Sequence, residues 1–253
     1  MKQLTVIVIT KNEIANIKRC LTSVSWADEI IVVDSHSSDG TPDVATSMGA
    51  RVISRDWDGY GPTKQAALDL ASGEWVLSID ADEEVSAELR AQIQGKIANP
   101  DDCAGYSMPR LTSFLGRWIY HCGWYPDPVL RLFRREKGRF DSVQVHEKVI
   151  VDGKVGKLTG NVLHYSYPDL DSYFLKFNRY TTMGAEQLAS SRIRAGLGDL
   201  TIRPVIAFIK HYISKRGFLD GAEGFLVSVF SSMAVMVKYA KLRHLNKSRD
   251  RQQ

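Results

Sequence analysis

With 253 residues, 44% of them hydrophobic and 25% charged, the chain has the composition of an ordinary globular protein with one main domain and an appendage, not of a disordered or fibrous one. Cys20, Cys103 and Cys122 are widely spaced and form no CxxC pair, so neither a disulfide framework nor a structural zinc site is suggested, and a reducing cytoplasm fits. The net charge of +4 is uneven: from Arg203 onward ten Lys and Arg stand against three Asp and Glu, which leaves +7 there and −3 over residues 1–202, a distribution that points to an anionic surface as partner.

The opening MKQLTVIVIT has one lysine and a short apolar run followed at once by polar KNE, which predicts a first strand over residues 4–9 instead of a signal peptide. Ile14, Ile17, Leu21 and Val24 recur at helical spacing. A second strand over 30–33 ends in Asp34, SHSSDGTP is turn chemistry, and a short helix is expected over 43–48. A third strand spans 51–54, Gly59, Gly61 and Pro62 break the chain, a helix is expected over 64–70, and Gly73 precedes the strand that opens at Trp75. Four strands alternating with helices predict a parallel sheet with right-handed crossovers. Such sheets bind ligands beyond the carboxyl ends of their strands, which brings Thr10, Asn12, Glu13, Asp34, Ser35, Asp39, Asp80 and Asp82 to one rim. A dinucleotide-binding dehydrogenase would need a glycine-rich turn after the first strand, and TKNEIAN has no glycine.

WVLSIDADEE, residues 75–84, is a buried strand running into an acidic cluster. Residues i and i+2 of an extended segment point the same way, so Asp80 and Asp82 are expected to converge on a hard cation, or on a ribose and a cation together. Taken alone, D-x-D is also a solvated turn ahead of the helix that Ser86 begins. Later candidates are the acids Asp127, Asp141, Glu147 and Asp152, then Arg131 between Leu130 and Leu132, the aromatic set Trp118, Tyr120, Trp124 and Tyr125, and His164 in NVLHYSY, which is either a satisfied core residue or a metal ligand.

In the last third, a helix is expected over 170–188, and Pro204 is expected to open another with Val205, Ile206, Ile209, Tyr212 and Ile213 on one face beside Lys210, Lys215 and Arg216. The apolar run 225–237 would reach about 20 Å at 1.5 Å per residue, short of a roughly 30 Å hydrocarbon core, so it is not expected to span. Apolar faces flanked by basic residues suit a helix lying in a membrane interface; packing on the catalytic domain or on a second subunit, as in a homo-oligomer, is the alternative. KLRHLNKSRDRQQ is expected to be frayed and disordered. Nucleic acid is not expected as a partner, because the tail's charges are not interleaved with stacking aromatics.

TKNE after the first strand, VDSHSSDGT after the second, KQAAL before the fourth and SIDADE at its end resemble the landmarks of family 2 glycosyltransferases. GWYPDPVLRLFRR, FDSVQVHEKV and LHYSYPDL resemble the lipopolysaccharide core glucosyltransferase branch of that family. The resemblance implies an α/β fold of GT-A (Rossmann-like) type, a mostly parallel sheet flanked by helices with a C-terminal helical appendage. On it, residues 1–168 form the catalytic domain, with a nucleotide-sugar half (1–100) and an acceptor half (101–168), and 169–253 a helical region that associates with a membrane or a subunit. It also implies inverting transfer of a sugar, glucose by the branch, from a UDP-linked donor; with the basic, apolar tail, the acceptor is expected to be a lipid-linked saccharide such as the lipopolysaccharide core, met on the inner face of the cytoplasmic membrane. A catalytically inactive membrane or assembly module of the same fold is the competing function.

By the same resemblance Asp82 holds Mn²⁺ or Mg²⁺, Asp80 lies nearer the ribose and the metal's water shell, and His164 completes the shell. Thr10, Asn12, Glu13 and Asp34 meet the nucleotide, and Lys64 approaches the phosphates or the base. Glu147, after His146 on the acceptor side, is the expected base, with Asp127, held between two prolines, as the second choice. Arg131 and Trp124 are expected at the diphosphate or the acceptor.

Overall fold

The computed structural model describes residues 2–141 and 149–250. The roles read for His146 and Glu147 fall outside the described residues. The chain divides into two compact units, residues 1–110 with 127–164, and residues 111–126 with 165–253. The segment 111–126, counted with the acceptor half in the sequence, belongs to the unit that holds the C-terminal helices.

In the first unit, β1 (Leu4–Thr10), β2 (Glu29–Asp34), β3 (Arg51–Ser54) and β4 (Trp75–Asp80) form parallel pairs in the order β3-β2-β1-β4, with α1 (Ile14–Ser23), α2 (Thr41–Ser47) and α3 (Tyr60–Asp69) as the crossovers. Every residue of β1 is buried. Leu4, Val6 and Val8 join a core with Ile17, Cys20 and Leu21 of α1, while Ile7 and Ile9 join a second core with Ala67 and Leu68 of α3. That two-sided burial is why the strand reads as a continuous apolar run. β5 (Glu83–Val85) follows a short turn, and Ser86 then caps α4 (Ala87–Ala98) by accepting from Leu89 N at 3.2 Å.

Beyond β4 the sheet turns antiparallel. β6 (Cys103–Phe114) pairs with β8 (Asp127–Arg134), and β8 pairs with β4. The short β7 (Arg117–Trp118) lies in the second unit, where it closes a hairpin on the end of β6. β9 (Gly138–Phe140) and β10 (Val149–Val151) form a small antiparallel pair, β11 (Lys154–Lys157) runs parallel to β6, and β12 (Val162–Tyr167) pairs with β5, His164 opposite Glu83. A parallel half flanked by helices and continued by antiparallel strands is the GT-A arrangement that the resemblance implies.

One local reading is corrected and another is extended. Gly61 and Pro62 do not break the chain before α3 but sit in its first turn, where a missing N–H costs no helical bond. Gly73 is more than a separator: its N–H donates to Thr5 Oγ1 at 2.8 Å, and a Cβ there would stand 2.7 Å from Thr5 N.

The second unit holds α5 (Leu170–Ser190), capped by Asp169, then α6 (Leu197–Ile209), a π-helical turn over 210–214, a 3-10 turn over 217–220, and α7 (Gly221–Asp250). Pro204 lies inside α6 instead of opening it; the start is fixed upstream by Asp199, whose carboxylate accepts from Gly196 N at 2.8 Å. The largest departure is α7. Its 30 residues run far past the expected 225–237, and the helical stretch Gly217–Arg249, which contains an 18-residue window of mean hydropathy 1.4, is by length and composition alone sufficient to cross a membrane.

The basic tail is likewise ordered through Asp250, because its polar groups have partners on α5. Lys241 Nζ reaches Asn178 O, Asn178 Oδ1, Thr181 Oγ1 and Thr182 Oγ1 at 2.7–3.0 Å, and Arg249 Nη1 donates to Ala189 O at 2.6 Å. Tyr239 and Leu242 bury themselves against Ala185 and Ala189. Leu242 has no exposed surface, so Leu242→Ala is expected to cost about 2–5 kcal/mol in chemical denaturation, where a frayed tail would give no change.

Candidate active site

The carboxyl ends of three strands stand in register, Thr10 opposite Asp34 and Ile9 opposite Asp80. The loops after β1 and β2 are stitched together there. Asn12, at a positive φ of 55°, donates its backbone N–H to Ser37 Oγ at 2.7 Å and accepts from Ser38 N at 2.9 Å. Asp34 is buried and accepts both Ser37 N and Ser37 Oγ, at 2.8 and 2.5 Å. Glu13 orients Asn16 through a 2.8 Å hydrogen bond, and its own N–H donates to Thr41 Oγ1. Among the described residues, Thr10 Oγ1 and Ser35 Oγ are buried with no hydrogen-bond partner, two hydroxyls on the rim that a bound polar ligand would satisfy.

At the end of β4 the expectation for Asp80 changes. Its Oδ1 lies 2.8 Å from Lys64 Nζ, and its Oδ2 lies 2.6 Å from Arg131 Nη2. Arg131 Nη2 also lies 2.6 Å from Glu83 Oε1, and Glu83 Oε2 accepts the Asp80 backbone N–H at 2.9 Å. Arg110 continues the series, 3.6 Å from Glu83 on one side and 2.7 Å from Asp127 on the other. Lys64, Asp80, Arg131, Glu83, Arg110 and Asp127 thus form one ladder of alternating charge. Glu83 is fully enclosed and Lys64 and Arg131 nearly so, whereas Asp80, Arg110 and Asp127 keep between 27% and 42% of their side-chain surface.

Burial opposes ionisation of Asp80, but Arg131 and then Lys64 outweigh it and hold the carboxyl well below the usual carboxylate range. For Arg131 burial pulls the other way, and Asp80 and Glu83 overcome it, so the guanidinium stays charged. Cys20, buried beneath the same turn, has its thiol pushed up by burial and then by Glu83, Asp82 and Asp80; its S–H donates to Asp80 O at 3.5 Å.

Asp82 takes a different environment. β4 stops at Asp80, and Ala81 and Asp82 form a turn, so the rule that residues i and i+2 face alike no longer applies. Asp82 Oδ2 lies 3.3 Å from His164 Nε2, brought there by the pairing of β12 with β5. Of the three expected metal ligands the structure therefore brings together Asp82 and His164, while both oxygens of Asp80 are engaged by cations. Among the described residues, the one cluster of three close metal-ligating groups is Asp101, Asp102 and Cys103, away from the rim, where Lys96 and Lys154 already neutralise the two acids.

Other expectations are redirected too. Arg131, expected at a phosphate, is held by two carboxylates, and Lys64 supports Asp80. Asp127, the second choice for the base, is the cross-strand partner of Arg110 and accepts from two of its nitrogens, at 3.0 and 2.7 Å. Trp124 lies in the second unit, its ring 6.1 Å from Phe114 and 5.6 Å from Tyr167, as a packing residue. The sequence reading missed Glu83 and Arg110. Glu83 is visible as an acid three residues past Asp80, whereas nothing local marks Arg110.

Removing Arg131 would leave Glu83 enclosed and short of a cation. Arg131→Met is expected to cost about 3–5 kcal/mol at neutral pH in urea unfolding. Because the Asp80 value is depressed on folding, its stabilisation is present above the ordinary carboxylate range and is lost as pH falls through the folded value. Wild-type stability should therefore decline below about pH 4, and the variant's decline should be shallower over the same pH series.

The family model described as glycosyl transferase family 2 matches residues 5–151. The chain is 33% identical to the lipopolysaccharide core biosynthesis glycosyltransferase LpsC of Rhizobium meliloti (strain 1021), over 97% of this chain and 94% of the relative. It is also 33% identical to an uncharacterized glycosyltransferase of Rickettsia typhi, over 99% and 90%. Among solved structures, S. aureus TarS 1–349 in complex with UDP-GlcNAc aligns at a TM-score of 0.47 and 12% identity, covering 97% of this chain and 92% of that one. Glucosyl-3-phosphoglycerate synthase from Mycobacterium tuberculosis, with Mn²⁺, UDP-glucose and phosphoglyceric acid, aligns at 0.39 and 26%, covering 43% and 44%. With a family model over more than half its length and a relative matched nearly end to end, the chain belongs to glycosyl transferase family 2.

Proposed function

We propose that this glycosyltransferase moves a hexosyl group, glucose by its resemblance, from a UDP-linked donor to a lipid-linked saccharide of the lipopolysaccharide core type, with inversion, at the cytoplasmic face of the membrane. The observation that carries the reading is the Asp82–His164 pair, set at the end of β4 beside strand-end loops whose buried hydroxyls lack partners. The name of the Rhizobium relative supports the acceptor class.

The pair fits a divalent cation. Adjacent ligands of an octahedral ion at about 2.1 Å stand roughly 3 Å apart, close to the 3.3 Å observed, and such ions commonly take one or two protein ligands plus substrate phosphates and water. When bound, the cation would offset the charge that builds on the departing diphosphate. The chain's own residues do the rest. Thr10, Ser35 and Asp34, with the Asn12 and Glu13 loop, line the place for base and ribose. Asp80 is the rigid end of β4 that fixes where the following turn puts Asp82, and Lys64, Arg131 and Glu83 hold it there.

Asp82→Asn keeps the shape and removes the charge. It should weaken Mn²⁺ binding in the presence of UDP, measured by electron paramagnetic resonance, and lower UDP-sugar turnover at least about a hundredfold. Transfer by the wild type that persists in excess chelator would overturn the metal assignment.

Glu147 is our proposal for the base that takes the acceptor proton, resting on the HE pair in the sequence. Asp127 would first have to leave Arg110. Glu147→Gln should bind UDP normally by calorimetry yet lose transfer by about two orders of magnitude or more, with Asp127→Asn within about tenfold of wild type. The reverse ranking would move the role to Asp127.

A further inference from the structure

Amphipathic helices of water-soluble proteins turn their apolar stripe inward, and α6 does the opposite. Ile202, Val205, Ile206, Ile209 and Ile213 follow one another at helical spacing along α6 and the π-helical turn; with Phe218 of the 3-10 turn, each is between 46% and 61% exposed. The stripe is firmly mounted. His211 Nδ1 lies 2.6 Å from Cys122 O, Cys122 N donates to Lys215 O at 3.0 Å, and Gly217 fits against Cys122, His211 and Ser228 with no room for a Cβ. Beneath the stripe, the ring of Tyr212 stacks on Phe208 at 5.3 Å and meets Phe218 and Phe225 edge to face.

The charges of this elbow have one sign where they are exposed. Lys210, Lys215 and Arg216 all lie open to solvent. The nearest acids are spent: Asp220 is buried and bound to His121 at 2.8 Å, and Glu223 faces Arg117 at 3.8 Å. Part of the remaining basic excess is committed elsewhere: Lys241 and Arg249 serve α5, and Arg203 pairs with Asp199 and lies over the ring of Tyr239. Three adjacent exposed cations therefore stand beside the apolar stripe, while part of the tail that dominates the charge count is structural.

We infer that the α6–α7 elbow, residues 202–219, docks on an anionic phospholipid surface, its isoleucines at the acyl boundary and Lys210, Lys215 and Arg216 at the phosphates. A two-fold contact with a second copy fits less well, because an isologous interface across the stripe would bring both sets of three cations together, and among the described residues the elbow itself carries no exposed acid to meet them. The purpose rests on the proposed lipid-linked acceptor, but the test does not.

The purified full chain is sedimented with phosphatidylglycerol-containing vesicles and with pure phosphatidylcholine vesicles, at low and high salt, while UDP binding is followed by calorimetry. Wild type should pellet with the anionic vesicles at low salt and be released at high salt. Lys210→Gln, Lys215→Gln and Arg216→Gln together should weaken that binding roughly a hundredfold. Ile206→Gln with Ile213→Gln, both on the surface, should weaken it as well, and every variant should keep wild-type UDP affinity. Absence of wild-type binding to anionic vesicles with UDP binding intact would overturn the inference and leave the catalytic reading untouched. Equal binding of wild type and the charge variant would overturn it too, as would a dimer in light scattering that the isoleucine substitutions dissociate.

Discussion

The rim of this enzyme depends on a partly buried charge ladder. Six groups drawn from α3, the end of β4, β5, β6 and β8 alternate in sign from Lys64 to Asp127, and each inner member touches a partner on either side. Taking charges out of water is costly, so such a structure persists only when every member is answered. Within the ladder every charge meets an opposite one, although Arg131 Nε is buried without a hydrogen-bond partner, and the enclosed Glu83 receives Arg131, Arg110 and the backbone N–H of Asp80. The result is geometric more than energetic. β4, β5, β6 and β8 are locked together at the place where β4 must end, and the ladder keeps Asp80 ionised so that it stays in place.

Much of the parallel half was legible because its information is local. β1, β2 and β4 are buried on both faces, which writes a β-branched run into the sequence, and the amphipathic face of α1 repeats at helical spacing. The rim residues followed from topology, since the carboxyl ends of parallel strands must lie together. What was not legible is pairing at a distance. Arg110 and Glu83 are separated by 27 positions, Arg131 and Asp80 by 51. An arginine destined for a buried carboxylate looks, in sequence, like one destined for a phosphate. The tail failed for the same reason: KLRHLNKSRD is polar enough to read as disordered until Lys241, Asn246 and Arg249 are seen meeting open carbonyls and hydroxyls of α5 and the turn after it.

The D-x-D shows the limit of pattern reading in a single turn. Two carboxylates at i and i+2 share a face only while the backbone stays extended, and the strand ends on the first of them. Asp80 is drawn toward α3 and β8, where two cations wait, while Asp82 rides out on the turn to meet a histidine arriving on β12. On the proposed metal assignment, one motif divides two tasks, anchoring and presentation, between its two acids. The division has a chemical logic. A carboxylate already sandwiched between a lysine and an arginine has little left to offer a metal, whereas one beside an imidazole nitrogen presents a mixed oxygen and nitrogen pair at a separation one ion can bridge. The anchor is needed because the presenting residue sits on a turn only two residues long, and its position is no better defined than the strand ends that hold that turn. Fixing β4 from below with charge is what lets so short a turn hold Asp82 opposite His164.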